Sequence, residues 1–385
     1  MANSDKRILT THTGSLPRPS ELMHLIDARE AGKLTDPAAL EACVAAAVDE
    51  IVRKQAESGV DIVNDGEVSK ISYSTYVKDR LTGFEGEGLL SESGLALADF
   101  AEFPELAARL FERAGTMRTK APACDGPIKY KNLGEVQTDI ANLKAALSGV
   151  DIQGAFISAA SPGVISGFLP NHYYKTPDAY VGALADAMKA EYEAIHESGL
   201  TLQLDCPDLA MSRHIWFHNL SLADFRKRIS MHVEALNHAT ASIPPERMRM
   251  HLCWGNYEGP HHYDVPLADI IDIVLKARPA TISLEAANPR HEHEWQVFET
   301  VKLPGDKMLI PGMLDSTTNF VEHPQLIAQR LLRWASVVGP DHLMAGTDCG
   351  FATFAGMTPV YPGVVWLKFK AMAEGCKLAS AKLWG

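Results

Sequence analysis

The sequence predicts an α/β fold, a (β/α)8 barrel of the TIM type, on three observations. Short apolar stretches alternate with longer ones whose apolar residues recur every three or four positions. Eight strand candidates can be counted, with helical patterns between most of them. Acidic, thiol and imidazole side chains crowd the segments that directly follow the strand candidates, where a barrel of this kind gathers its chemistry.

In chain order the strands are expected at 8–11, 60–64, 155–159, 202–205, 249–252, 281–284, 308–310 and 343–345. Helices are expected at 37–57, 177–196, 222–239, 324–337 and 363–379. The stretch 78–130 does not fit the alternation. It is rich in Gly, Glu and Ala and contains a helical pattern, ALADFAEFPELAARLFERAG, at 96–115. It reads as a segment inserted after the second strand: a lid, an oligomer contact or a simple decoration of one catalytic domain spanning 1–385.

Composition narrows the function classes. With 385 residues, 46% hydrophobic and 22% charged, the chain is ordinary globular material. A net charge of −12 and the lack of a basic run argue against nucleic acid and anionic membrane surfaces as partners. The N-terminus MANSDKRILTTHTG lacks the apolar core of a secretory signal, and no stretch is long and apolar enough to span a membrane. A cytoplasmic protein is expected, and a homo-oligomer is compatible with everything above. The six cysteines are scattered without a CxxC pair, so free thiols or metal ligands are expected rather than disulfides. No GxGxxG after a strand, P-loop or GxSxG supports nucleotide-driven chemistry or serine hydrolysis.

The strongest signal is His251-Leu252-Cys253. Residues i and i+2 of a strand point to one side, so both side chains can reach one ion. Glu285 and Cys349 arrive from two other strand ends, completing a tetrahedral set of imidazole, carboxylate and two thiolates. Soft sulfur selects zinc over magnesium. An HxC alone is equally a core histidine beside a small apolar cysteine; the convergence of three strand ends singles this one out. Cys43, Cys376 and Cys206 are expected to fill space, and Cys124 has no evident partner. His261, His262, His291 and His293 lie in polar sequence and are expected to be solvated. Trp254 and Tyr257 are candidates for the pocket wall.

Several motifs together carry a resemblance: TTHTGSLPRP, GVDIVNDGE, LQLDCPD, MHLCWGN, TISLEAANPR, PGMLDSTTNFVE and GTDCGF. In order and through nearly the whole chain they resemble the C-terminal catalytic barrel of the cobalamin-independent methionine synthase superfamily. The resemblance implies zinc on His251, Cys253, Glu285 and Cys349, and the amino-acid part of homocysteine on Ser15, Glu67 and Asp205. It matches Asp315 to an acidic position of catalytic importance. Where the family has a histidine two residues after that aspartate, this chain has Thr317. The tryptophan that stacks on the pterin has no counterpart in SPGVISGFLPN, and the folate-binding N-terminal half is absent, so methyltetrahydrofolate does not follow as donor.

The run DSTTNFVEHP resembles the stand-alone epoxyalkane:coenzyme M transferase branch. The activity implied is zinc-dependent S-alkylation of a small thiol of homocysteine or coenzyme M type, held as a zinc-bound thiolate, by a methyl or alkyl donor. Epoxide opening by coenzyme M and decarboxylation on a related barrel are the alternatives. A coenzyme M sulfonate requires a cation, for which Arg18, Lys70 and Arg213 are available, each otherwise a solvated surface charge.

Overall fold

A computed structural model describes residues 6–89, 98–113 and 120–385. After α1 (Ser20–Glu30) and α2 (Pro37–Glu57) the chain enters β1 (Ile62–Asn64). An excursion follows, with α3 (Val77–Arg80), β2 (Gly86–Leu89), α4 (Pro104–Arg113) and β3 (Lys120–Ala123). Regular alternation then resumes: α5 (Gly134–Ala146), β4 (Gly154–Ala160), α6 (Pro162–Phe168), α7 (Pro177–Glu197), β5 (Thr201–Asp205), α8 (Ser212–Ile215), α9 (Leu222–Ala239) and β6 (Met248–Leu252). It ends with α10 (Ile271–Val274), β7 (Thr281–Leu284), β8 (Met308–Leu314), α11 (Pro324–Val338), β9 (Gly346–Thr347) and α12 (Pro362–Trp384).

Local chemistry explains the helix boundaries. Asp36 caps α2 by accepting from the Ala39 N–H at 3.1 Å, and Pro37 opens the first turn with φ already preset. Such a cap contributes about 1 kcal/mol. Thr176 and Ser221 cap α7 and α9 in the same way, accepting from the N–H groups of Ala179 and Asp224, three residues on.

Seven parallel strands form one curled sheet in the order β1-β4-β5-β6-β7-β8-β9. Segment 8–11 joins its two edges. Thr10 makes a parallel bridge to Ala345, while its carbonyl accepts from Ile62 N at 3.0 Å and the Thr11 N–H donates to Ala345 O at 2.8 Å. This eighth stave closes the barrel, although it bridges too briefly to count as a full strand.

Successive strand residues face opposite sides. Ile62, Phe156, Met308, Ile310 and Met344 form a small inner cluster, whereas Val63, Ile157, Leu309 and Leu343 join the large core shared with the helices. Above the inner cluster lies a polar layer. There Arg249 donates to Thr11 Oγ1 at 2.9 Å and sits 4.0 Å from the centre of the Phe156 ring. Burial holds its guanidinium down to about 9, with Asp205 opposing. Asp205 and His251 continue this inner face upward, directly paired between β5 and β6.

The excursion departs from expectation in one respect. Instead of a single helix over 96–115, a 3-10 turn at Ala98–Phe100 precedes α4. Pro104 starts the new helix, and it cannot donate the N–H that a continuous helix needs. Positions 96, 97, 114 and 115 fall outside the described residues. Strands β2 and β3 pair antiparallel with Gly86 opposite Ala123, separate from the barrel sheet. Among the described residues no helix is long and apolar enough to cross a membrane.

Candidate metal centre and thiol cavity

The inner side chains of β6 run straight into the rim. His251 is its penultimate residue and Cys253 follows Leu252 on the same face. Cys349 comes from the turn after β9, and the two sulfurs lie 3.2 Å apart. Ligand atoms of His251, Cys253 and Cys349 all fall within 4.8 Å of one another, and all three residues are buried. Glu285, one residue past β7, stands at the edge of this group with Oε1 3.5 Å from Cys349 Sγ. Its oxygens are already oriented: Oε1 accepts from Trp254 N at 2.7 Å and Oε2 from Asn288 Nδ2 at 2.8 Å.

A buttress supports that arrangement. Asp348, beside Cys349, accepts from the N–H groups of Ala286, Ala287 and Asn288, each at 2.8 Å, and from Asn288 Nδ2 at 3.0 Å. The loop carrying Glu285 is thus tied to the strand end carrying Cys349. Sequence reading missed this role for Asp348 and Asn288, since the bonds link residues about 60 positions apart.

The donor chemistry suits a soft-ligated cation. Burial, with Arg249 adding, pushes His251 down to about 3, so the ring is neutral and free to donate a lone pair. His251 Nδ1 is buried with no hydrogen-bond partner among the described residues, a costly state that a ligand would relieve. The Cys349 thiol is pushed well up by burial and by the Cys253 contact. The Cys349 contact lowers the Cys253 thiol, but burial and Glu285 leave it raised. Neutral thiols that resist ionisation alone become good ligands once a cation compensates the charge.

Below this cluster opens a cavity of about 240 Å³. Thr13, Ser15, Glu67, Asp205, His251, Cys253 and Cys349 form its polar end, and Tyr73, Phe168, Met211, Ile215, Phe354 and Met357 its apolar walls. Glu67 is held at φ 55°, a left-handed conformation that costs a non-glycine residue about 1–3 kcal/mol. Arg18 enforces the turn by donating to the carbonyls of Glu67, Val68 and Lys70. Glu67 Oε2 is buried without a partner among the described residues. Neighbouring Gly14 leaves it room, since a Cβ there would lie 2.2 Å from Glu67 Oε1. Asp205 Oδ1 accepts from Gln203 at 2.9 Å, and burial together with Glu67 pushes its carboxyl well above the usual range. Ser15 Oγ lies 3.4 Å from Ala352 N, packed against Gly350.

The three cations considered for a sulfonate are committed elsewhere. Arg18 and Lys70 are buried rather than solvated, and Lys70 Nζ donates to Ser158 O at 2.5 Å. Arg213 donates to the carbonyls of Phe217 and Leu220. Among the described residues lining this cavity there is no Lys or Arg.

A second, polar cavity of about 380 Å³ lies on the other side of Cys349 and Glu285. Asp315 lines it, with Oδ1 accepting from Thr317 Oγ1 and Oδ2 from Thr318 Oγ1 at 2.8 and 2.7 Å. Buried Lys368 fixes the Asp315 carbonyl at 3.0 Å. Tyr257 lines both cavities; Trp254 lines neither and is buried against His291, with ring centres 4.4 Å apart.

The loop histidines correct the expectation of solvation. His291 is buried, its ring nitrogens facing Glu294 at 3.0 Å and Asp264 at 2.9 Å. His261 Nδ1 meets the same Asp264 oxygen at 2.9 Å, and His214 Nδ1 lies 3.1 Å from the other oxygen. Of the four loop histidines 261, 262, 291 and 293, His262 and His293 are exposed as expected. The remaining cysteines pack: Cys206, Cys124 and Cys376 are buried, and Cys43 is half-buried against the core.

Fold and rim together define a closed α/β barrel with a His–Cys–Cys cluster at the C-terminal ends of its strands. No family model matches the chain. A methionine synthase of Thermococcus kodakarensis is 24% identical over 345 residues, 89% of this chain and 86% of the relative. One from Saccharolobus solfataricus is 24% identical over 378 residues, 97% of this chain and 95% of its own length. A B12-independent methionine synthase from a Shewanella species, solved with selenomethionine, superposes with a TM-score of 0.73 at 19% identity, covering 98% of this chain and 99% of that one. Over nearly its whole length the chain is thus similar in sequence to methionine synthases, and its fold is that of a B12-independent methionine synthase.

Proposed function

We propose that this protein is a zinc-dependent S-alkyltransferase that transfers a methyl or alkyl group to a small amino-thiol of the homocysteine type. The observation that carries the proposal is the pair of sulfurs 3.2 Å apart, with His251 beside them, at the polar end of a cavity whose acidic side chains are Glu67 and Asp205. The names of the sequence relatives, methionine synthases, favour methyl transfer to homocysteine.

His251, Cys253, Cys349 and Glu285 would hold the zinc. When bound, zinc supplies the Lewis acidity that turns a thiol into a thiolate at neutral pH. Glu67 and Asp205 receive the ammonium group of the thiol and so aim its sulfur toward the cluster. The apolar walls exclude water and hold the alkyl donor in line, where proximity supplies much of the rate. The sulfur then attacks the donor carbon, and the leaving group departs with the bonding pair. A coenzyme M type thiol is disfavoured, because its sulfonate would enter a cavity with two carboxylates and no lining cation among the described residues. A decarboxylase has no use for the two rim thiols.

The test is a metal assay followed by a thiol panel offered methylcobamide, methylfolate and epoxide donors. One zinc per chain and turnover with homocysteine in preference to coenzyme M are expected. A Cys349→Ser protein with full zinc and full activity would end the proposal.

A further inference from the structure

One part of the excursion between β1 and α5, the turn at Ala98–Phe100 with Glu102, lies against the loop after Cys253. Asp99 is fully buried there, and its Oδ2 accepts from the Tyr257 hydroxyl at 2.8 Å and from the His261 N–H at 3.1 Å. The Phe100 ring lies 5.4 Å from that of Tyr257. A Cβ on Gly259 would come within 2.3 Å of the Tyr257 ring and 3.1 Å of Phe100, so the loop passes between them only as glycine. Glu102 extends the contact, accepting from the Tyr263 hydroxyl and facing His262 Nε2 at 3.4 Å.

This loop is also part of the site. Tyr257 lines both cavities. Asn256 donates to Gly350 O at 2.7 Å and accepts from Ser316 Oγ at 2.8 Å, so the loop that begins at one cysteine ligand is fastened beside the other. On the opposite side Tyr257 stacks on His261 at 4.2 Å, and His214 Nε2 lies 3.2 Å from its hydroxyl.

We propose that Asp99 is a positioning residue: from the inserted segment it anchors Tyr257 and thereby sets the wall of the thiol cavity and the affinity for the thiol. Asp99 touches neither metal ligands nor substrate; it acts through Tyr257. A buried carboxylate holding two donors is a strong anchor, and its removal leaves the His261 N–H unpaired and the Tyr257 hydroxyl with His214 alone. The proposal rests on the thiol-binding reading given above.

Asp99→Ala is expected to raise KM for homocysteine about 10-fold, the effect of one lost charge-assisted bond, with kcat and metal content unchanged. Asp99→Asn, which keeps one acceptor oxygen, should recover part of the affinity. Tyr257→Phe should raise KM similarly, and the double variant no further. Amide exchange across 255–263 should quicken in Asp99→Ala even if no thiol is ever turned over. That readout separates failure of this inference from failure of the functional reading. Unchanged KM and unchanged exchange in Asp99→Ala would overturn it, as would parallel loss of kcat and metal.

Discussion

Two histidine neighbourhoods lie side by side on the barrel rim and are built on opposite principles. Around Asp264, His261 and His291 have both ring nitrogens engaged by oxygen. Around Cys253 and Cys349, His251 keeps a buried Nδ1 with no partner among the described residues, and Glu67 nearby keeps a bare Oε2. Unpaired buried polar atoms are expensive. In the hub around Asp264 the two atoms without a hydrogen bond, Asp264 Oδ1 and His214 Nδ1, face each other 3.1 Å apart, whereas His251 and Glu67 line a cavity from which a ligand can reach them. Polarity and burial are alike in the two regions; the inventory of partners and access from a cavity distinguish them.

The largest effect should come from breaking the cluster. Cys253→Ser, Cys349→Ser or His251→Ala should each remove stoichiometric zinc and cost more activity than the roughly 10–100-fold typical of an outer-sphere partner. Elemental analysis and turnover check this. Retention of both by any of the three would erase the contrast just drawn.

Breaking the hub should cost stability instead of metal. Burial alone would lower His291, but its bonds to Asp264 and Glu294 raise it from 6.5 to about 10. Burial alone would raise Asp264, but its bonds from His261 and His291 lower it from 3.8 to about 2. The His291 contribution is therefore complete below pH 6.5 and lost as pH rises through 10. That of Asp264 is complete above pH 3.8 and lost as pH falls through 2. His291→Ala should destabilise by about 3 kcal/mol, as when a buried ion pair loses one member. Denaturant titrations should find the deficit greatest between about pH 4 and 6.5, with zinc content unchanged.

Between these extremes lies the buttress. Asp348→Asn turns one acceptor oxygen into a donor facing backbone N–H groups, loosening the 286–288 loop and with it Glu285. Zinc affinity should fall about 10–100-fold in a chelator competition, while the fold persists. An unchanged affinity would mean that Glu285 needs no such support.

Legibility from sequence followed the range of the interactions. Helix 37–57 and the β5, β6 and β7 strands emerge where expected because their periodicity is local. The stave at 8–11 closes the barrel but pairs too sparsely to form a full strand, which alternation cannot reveal. The 96–115 helix pattern could not show that Pro104 begins a separate helix. His251, Cys253 and Cys349 could be nominated because strand ends share a rim. The run HEHE around His291 reads as solvated polarity, since its partner Asp264 is 27 residues away and burial is not written in local composition. Arg18 looked like a surface charge for the same reason.

The smallest effect concerns a cysteine that also sits at a strand end. Cys206 directly follows β5, next to Asp205, and by position alone could belong to the cluster. Its sulfur instead lies 3.5 Å from Leu204 O, and it is buried with the core residues. Burial, with Asp208 and Asp205 adding, pushes its thiol well above the ordinary value, so it stays protonated and unreactive. Such a residue behaves as a small hydrophobe. Cys206→Ala should therefore cost no more than about 1 kcal/mol and leave zinc stoichiometry and thiol turnover as they were. Loss of metal in this variant would extend the cluster to a fourth strand end, and the contrast between binding and packing sulfurs would have to be redrawn around it.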